Sequence, residues 1–264
     1  MSRFFGESPW WVLIAFWFVF FTATSLISRF AVRRAPDPKR RAELTDYAGK
    51  TLTPIGAIFG FLIGIAATMT WSALNAGQEA VDSQATAAQQ LAWATKSISD
   101  KTGVAEIVGN LDRYLAVEVT QDIPLLARGQ GGDLPSAQAY DTLQHSVHNV
   151  AYRNGTSASE ASAMTAAAAA LTATQSKMSA VAQRSLPPLL TGLLIAGGAL
   201  LAMAMGAAAA EVDRPYLMFG WALVSAISVT LILTLDAPFR GAIAVNTQPL
   251  VQVSDSLAAK PYDQ

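Results

Sequence analysis

The sharpest chemical candidates in this chain are its two histidines, since the absence of cysteine removes thiolate nucleophiles, thiolate metal sites and disulfides from consideration. In the run DTLQHSVH, Asp141, His145 and His148 follow one another at steps of four and three residues. On a helix that spacing puts one carboxylate and two imidazoles on a single face, a donor set that divalent zinc or copper accepts. A stable metal site wants a further ligand and oriented outer partners, which the sequence does not supply. Solvated polar residues on a helix surface are the competing reading, and no cofactor is predicted.

A second group of candidates lies in an apolar run. Gly56, Gly60 and Gly64 recur at four-residue steps and form a small stripe on which another helix packs closely. Ile55, Phe59 and Ile63 recur at the same step on another edge of the helix. Repeated around an axis by several subunits, they would make a hydrophobic constriction that gates by dewetting, although apolar side chains in a span also face lipid or protein. Thr68, Thr70 and Ser72 would hydrate an ion path or satisfy local carbonyls. Further on, Asp236, Pro238, Phe239, Arg240 and Gly241 combine a helix-stopping proline with a turn glycine. They predict a fold-back of the tail at the membrane surface, with an ion-entrance role as the alternative.

Catalytic signatures do not emerge. The sequence contains no glycine-rich phosphate loop, no Gly-x-Ser-x-Gly and no paired metal motif, so the chain does not read as an enzyme. Hydroxyls rather than ionisable groups are the polar residues within its apolar runs, unlike a proton-coupled transporter.

The elements that must position these residues follow from hydropathy. The chain is 52% hydrophobic and 14% charged, and its mean hydropathy is positive, a composition suited to the bilayer. A net charge of -1 argues against a nucleic-acid partner, which requires a concentrated basic face. Four stretches are apolar enough to span: Pro9 to Ser28, Leu52 to Trp71, Pro188 to Ala210 and Pro215 to Leu235. The first carries Trp10 and Trp11 at one end and Arg29, Arg33 and Arg34 beyond the other, the reverse of a cleaved signal peptide, and reads as a retained anchor. The loop from Arg29 to Lys50 holds seven Lys and Arg against three acidic residues and is expected in the cytoplasm. The N-terminus, the segment between spans two and three and the tail then fall outside.

That inserted segment has ten acidic and seven basic residues from Asn75 to Leu186. Its periodicity predicts an outward extension of the second span over Asn75 to Asp100, then helices at Val104 to Gln121, Ser136 to Tyr152 and Ser157 to Ser185. Gly129 to Gly132 and Asn154-Gly155 interrupt them. Strand-like alternation is absent, so the fold is expected to be all-α. It divides into a transmembrane hairpin with its basic loop (1–73), a helical extramembrane domain (74–186), a second hairpin (187–236) and a tail (237–264).

Three segments resemble the bacterial bestrophin-like membrane proteins. They are the basic loop leading through Thr45-Asp46 into the glycine-bearing span that ends at Trp71, the RSLPPLL entrance to the third span at Arg184 to Leu190, and LDAPFRGAIAVNTQPL at Leu235 to Leu250. The last is similar to the family's Leu-Asp-x-Pro-Phe-x-Gly element, with Gln248 and Leu250 where acidic and aromatic residues are commoner. The resemblance implies a multi-pass protein of the bacterial inner membrane, homo-oligomeric in the lipid bilayer, and a passive ion channel, since bestrophins are pentameric anion channels. A non-conducting scaffold or accessory subunit bound to a membrane-complex partner is the alternative. In bestrophins the large domain is cytosolic, whereas the charge rule places this chain's inserted domain on the periplasmic side.

Overall fold

The computed structural model describes residues 9–153, 155–240 and 243–258. Every regular element among them is helical, in agreement with the all-α expectation. Pro9, in an extended conformation, starts α1 (Trp10–Arg33). The basic segment then turns within a few residues rather than forming a long loop: Asp37 Oδ1 accepts from the Lys39 amide (2.9 Å), and α2 (Pro38–Ala94) begins with proline at its first position. Proline is tolerated there because its missing N–H would have had no partner inside the helix. α2 runs through the second apolar stretch to Ala94 as one helix of 57 residues despite Pro54.

α3 (Lys101–Val117) is capped by Asp100, whose side chain accepts from the Gly103 amide (3.1 Å). It passes into a π turn, Glu118–Asp122, and a last helical turn α4 (Ile123–Leu126). Gly129 leaves α4 with φ +72°, a conformation only glycine adopts cheaply. α5 (Ser136–Ala151) ends before Gly155, which has φ +106°. A Ser157/Glu160 capping box opens α6 (Ala158–Ala182). α7 (Pro188–Ala208) and α8 (Tyr216–Leu235) are the remaining apolar helices, and α9 (Gln248–Ala258) is a helix within the tail that the sequence reading left without structure.

Four helices, α1, α2, α7 and α8, are long and apolar enough to cross a membrane. The chain divides into two compact units. The membrane unit comprises Met1–Ser72 with Ser185–Asp236, and its core gathers Trp17, Phe21, Phe59, Leu201, Ala222 and Val229. The second unit comprises Ala73–Arg184 with Ala237–Gln264 and is built on Leu91 of α2, Leu111 and Tyr114 of α3, Leu143 of α5 and Leu171 of α6. Its α9 closes this core with Leu250, Val253 and Leu257, and Ser254 Oγ donates to Asp112 Oδ1 (2.9 Å).

Candidate functional site

Within the membrane unit α1 and α7 approach closely. Gly198, Ala202 and Gly206 recur at four-residue steps on α7, and a Cβ at Gly206 would collide with the Ser25 carbonyl oxygen. One at Gly198 would meet the Phe21 ring at 2.8 Å and the Phe59 ring at 3.2 Å. Ser25 Oγ donates to the Ala202 carbonyl (2.9 Å) and Ser28 Oγ to that of Met203 (2.7 Å). Arg29 Nε and Arg33 Nε donate to the carbonyls of Ala209 (3.1 Å) and Ala210 (2.5 Å), and Arg29 also reaches Val212. The basic segment therefore caps the C-terminal end of α7, where carbonyls lack helical partners and cations are favoured.

The glycine stripe of α2 stands differently. Gly60 and Gly64 are exposed, and among the described residues nothing lies within 4 Å of a Cβ built at either; Gly56 has only Leu201 at 4.0 Å. Phe59 is 4% exposed and lies among Gly197, Gly198 and Trp221, inside the chain's own core. Ile55 and Ile63 are half-buried beside it. The uncovered apolar ridge of α2 is instead Ile58 (62% exposed), Phe61 (68%) and Ile65 (36%), at steps of three and four residues. Phe61, Gly64, Ile65, Thr68 and Met69 line a shallow hollow there. Of the most apolar window of α2 only 11% is buried, against 22%, 33% and 39% for α1, α7 and α8. Of the four apolar windows, that of α2 is the least covered by the rest of the chain. Thr68 and Thr70 donate to the Gly64 (2.9 Å) and Ala66 (3.0 Å) carbonyls of their own helix, and Ser72 is exposed.

The tail motif is tied down piecewise. Asp236 Oδ1 accepts from the Leu186 amide (2.6 Å) in the membrane unit. In the second unit the Pro238 carbonyl accepts from the Val245 amide (2.8 Å), Phe239 is buried in the core, and the Arg240 amide donates to Ala237. Gly77 gives the tail room: a Cβ there would meet Val245 at 2.8 Å. Gly241 lies outside the described residues. On α5, the ring of His145 is engaged locally, Nδ1 lying 2.7 Å from the Asp141 carbonyl oxygen, and His148 packs on Tyr152 with centroids 4.5 Å apart. Among the described residues no group of three His, Asp or Glu side chains is drawn together to hold a metal.

A buried polar cluster escaped the sequence reading. Gln84 of α2, Tyr114 of α3 and Glu118 of the π turn are all 0% exposed. Gln84 Nε2 donates to both Glu118 carboxyl oxygens (3.1 Å each) and to Tyr114 Oη (2.5 Å). The signal was present: Glu118 and Asp122 extend the ridge of Leu111 and Leu115 at helical spacing, so two carboxylates were bound for the core.

A family model described as the bestrophin-like domain matches residues 19–250. Two variants of a bacterial bestrophin homologue from Klebsiella pneumoniae have the same fold. A tryptophan-to-alanine variant gives TM-score 0.74 at 12% identity, over 95% of this chain and 97% of that one. A leucine-to-threonine variant gives 0.72 at 12%, over 94% and 99%. A further crystal structure of a membrane protein carrying a proline-to-alanine change gives 0.73 at 13%, over 95% and 99%. At such identities the likeness is one of fold. No curated protein matches the chain.

Proposed function

The chain belongs to the bestrophin-like family, and on that premise we propose that it assembles with copies of itself in a bacterial inner membrane as a passive ion pore lined partly by α2. The observation that carries this reading is the uncovered face of α2. Small residues at Gly60 and Gly64 let a neighbouring helix approach, while Ile58, Phe61 and Ile65 supply the apolar ring that gates by excluding water. Phe59, packed inside the protomer, has a structural part in this arrangement.

Planar-bilayer recording of the purified protein tests the pore. Ohmic current is expected, and Phe61→Ala should change its amplitude or open fraction several-fold, whereas Phe59→Ala should mainly lower thermal stability by about 3 kcal/mol or more through the cavity it leaves. Silence in bilayers together with copurification of a fixed partner from native membranes would reverse the reading in favour of an accessory subunit.

For orientation we propose that the turn near Asp37 faces the cytoplasm and the helical domain the periplasm, as the Lys and Arg excess of residues 29–50 favours. The chain has no cysteine, so single cysteines can be placed without a background. Asp133→Cys and Asp37→Cys both replace exposed residues. A membrane-impermeant maleimide applied to intact spheroplasts should label the first and spare the second, and the opposite pattern would place the domain in the cytosol.

A further inference from the structure

The π turn at Glu118–Asp122 interrupts an otherwise regular helix in the middle of the second unit's core. Such single-turn insertions cost regular hydrogen bonding and concentrate at functional positions. Here both ends of the turn are carboxyl side chains, Glu118 at 0% and Asp122 at 1% exposure. The groups facing Glu118 come from every element around it. α2 offers Gln84; α3 offers Tyr114; the turn itself offers Asp122. α6 contributes Thr174, whose hydroxyl donates to Gln84 Oε1, and α5 contributes Tyr140, edge-on to Tyr114 at 5.9 Å and donating its own hydroxyl to the Ala168 carbonyl (2.9 Å). Among the described residues none of these is a Lys, Arg or His.

Two carboxylates four residues apart in a dry core without a cation cannot both ionise cheaply, because each pays desolvation and each repels the other. Asp122 Oδ1 accepts from the Ser136 amide (3.2 Å), and hydrogen bonding from Ser136 and Gln175 offsets part of the desolvation of this carboxylate, so it is the better placed to keep its charge. Glu118 has the cheaper alternative of holding a proton. In that state a carboxyl oxygen still accepts from Gln84 Nε2. A route to water is short: Thr174 also lines a polar surface groove with Gln78, Glu79, Asp82 and Ser83.

We propose that Glu118 is a proton-binding switch of the helical domain: protonated, it is a neutral strut joining α2, α3 and α6, and ionised, it admits water past Thr174 and loosens the π turn. The step is a single heterolysis, in which the carboxyl O–H bond breaks, its electron pair stays on Glu118 and the proton passes to water in the groove. Burial, with a smaller push from Asp122, raises the Glu118 carboxyl to about 8, within the range a bacterial envelope meets. The switch stands on this domain's geometry and does not require that the chain conduct ions.

Hydrogen–deuterium exchange of the full-length protein in detergent, corrected for intrinsic rates, tests it from about pH 6 to about pH 9. Protection of residues 117–126 should fall about tenfold or more over that range in the wild type, stay level in Glu118→Gln, and keep its amplitude in Asp122→Asn while its midpoint moves downward, because the repelling charge is gone. Infrared titration of the wild type should show the band of a protonated buried carboxyl that disappears over the same range. A level wild-type profile, or an infrared band absent at about pH 6, overturns the proposal even if Glu118→Gln fails to fold. An equal fall in Glu118→Gln overturns it as well.

Discussion

Gly206→Ala is expected to prevent stable folding of the membrane unit, although it adds one methyl group and improves helix propensity. The new Cβ would collide with the Ser25 carbonyl oxygen and lie 2.7 Å from its carbon and 2.9 Å from its Cα. All three are backbone atoms, so no rotamer change relieves the clash; α1 and α7 must separate by roughly 1 Å or more. Separation would also stretch the Ser25–Ala202, Ser28–Met203 and Arg33–Ala210 hydrogen bonds that fix the pair. Overpacking against backbone together with lost interhelical bonds is worth about 3 kcal/mol or more, a large share of the stability of an ordinary domain. Thermal unfolding and size-exclusion yield of the detergent-purified variant measure it. Gly60→Ala is the control: with open space around its Cβ it should leave the protomer as stable as wild type or slightly more so. Loss of the oligomer in Gly60→Ala with an intact protomer would show a neighbouring subunit seated on that face. A Gly206→Ala protein as stable as wild type would disprove the close approach of the two helices.

A pH-dependent stability centred on Glu118 is the second large effect. Its carboxyl is raised from an ordinary 4.5 to about 8 in the folded chain. Between those values the folded state holds a proton that the unfolded state has released, so stability must fall as pH rises. The contribution is fully present below about 4.5, declines through the interval and is lost once pH passes about 8, and a displacement of that size corresponds to on the order of 5 kcal/mol. Burial raises Asp122 too, which adds a slope of the same sign nearer its own range. Chemical denaturation at about pH 5, 7 and 9 should therefore show a midpoint that decreases with pH in the wild type and much less so in Glu118→Gln, which becomes the more stable protein at the alkaline end. Glu118→Leu removes the charge but leaves the Gln84 N–H that Glu118 accepted from without an acceptor in the core, so it should be less stable than Glu118→Gln at every pH, by about 1–3 kcal/mol. Stability that climbs with pH over this interval would show that Glu118 is ionised in the fold.

Much of the architecture is legible in the sequence. Runs of about 20 apolar residues need no partner to declare themselves, because the cost of burying backbone in lipid is met inside each helix. Punctuation also read cleanly: α7 begins at Pro188 and α8 just after Pro215, and the helices of the inserted segment start within a few residues of their expected positions. The basic stretch was misjudged in form, since Asp37 and Pro38 start a helix inside what charge alone presents as a loop. α9 went unread because a short tail helix earns its stability from the core it covers, through Leu250, Val253 and Leu257, and little from its own turns.

The site shows where such reading ends. Gly56, Gly60 and Gly64 and the series Gly198, Ala202 and Gly206 have the same spacing, and only the second is pressed against another helix. Phe59 and Phe61 are two residues apart in one apolar span, yet one is enclosed and the other open. Hydropathy measures what a residue loses by leaving water and is blind to which side of an apolar helix a partner occupies. For α7 that partner is α1, more than 170 residues away in sequence at the Ser25–Ala202 hydrogen bond. The sequence by itself therefore determined that this is a helical, four-span membrane protein with a polar helical domain, because solvent transfer and helical period act locally. Which glycines pack, which face of α2 is left open and that Glu118 shares its core with Asp122 were decided by the tertiary structure, because close contact and dielectric burial exist only once distant segments have met.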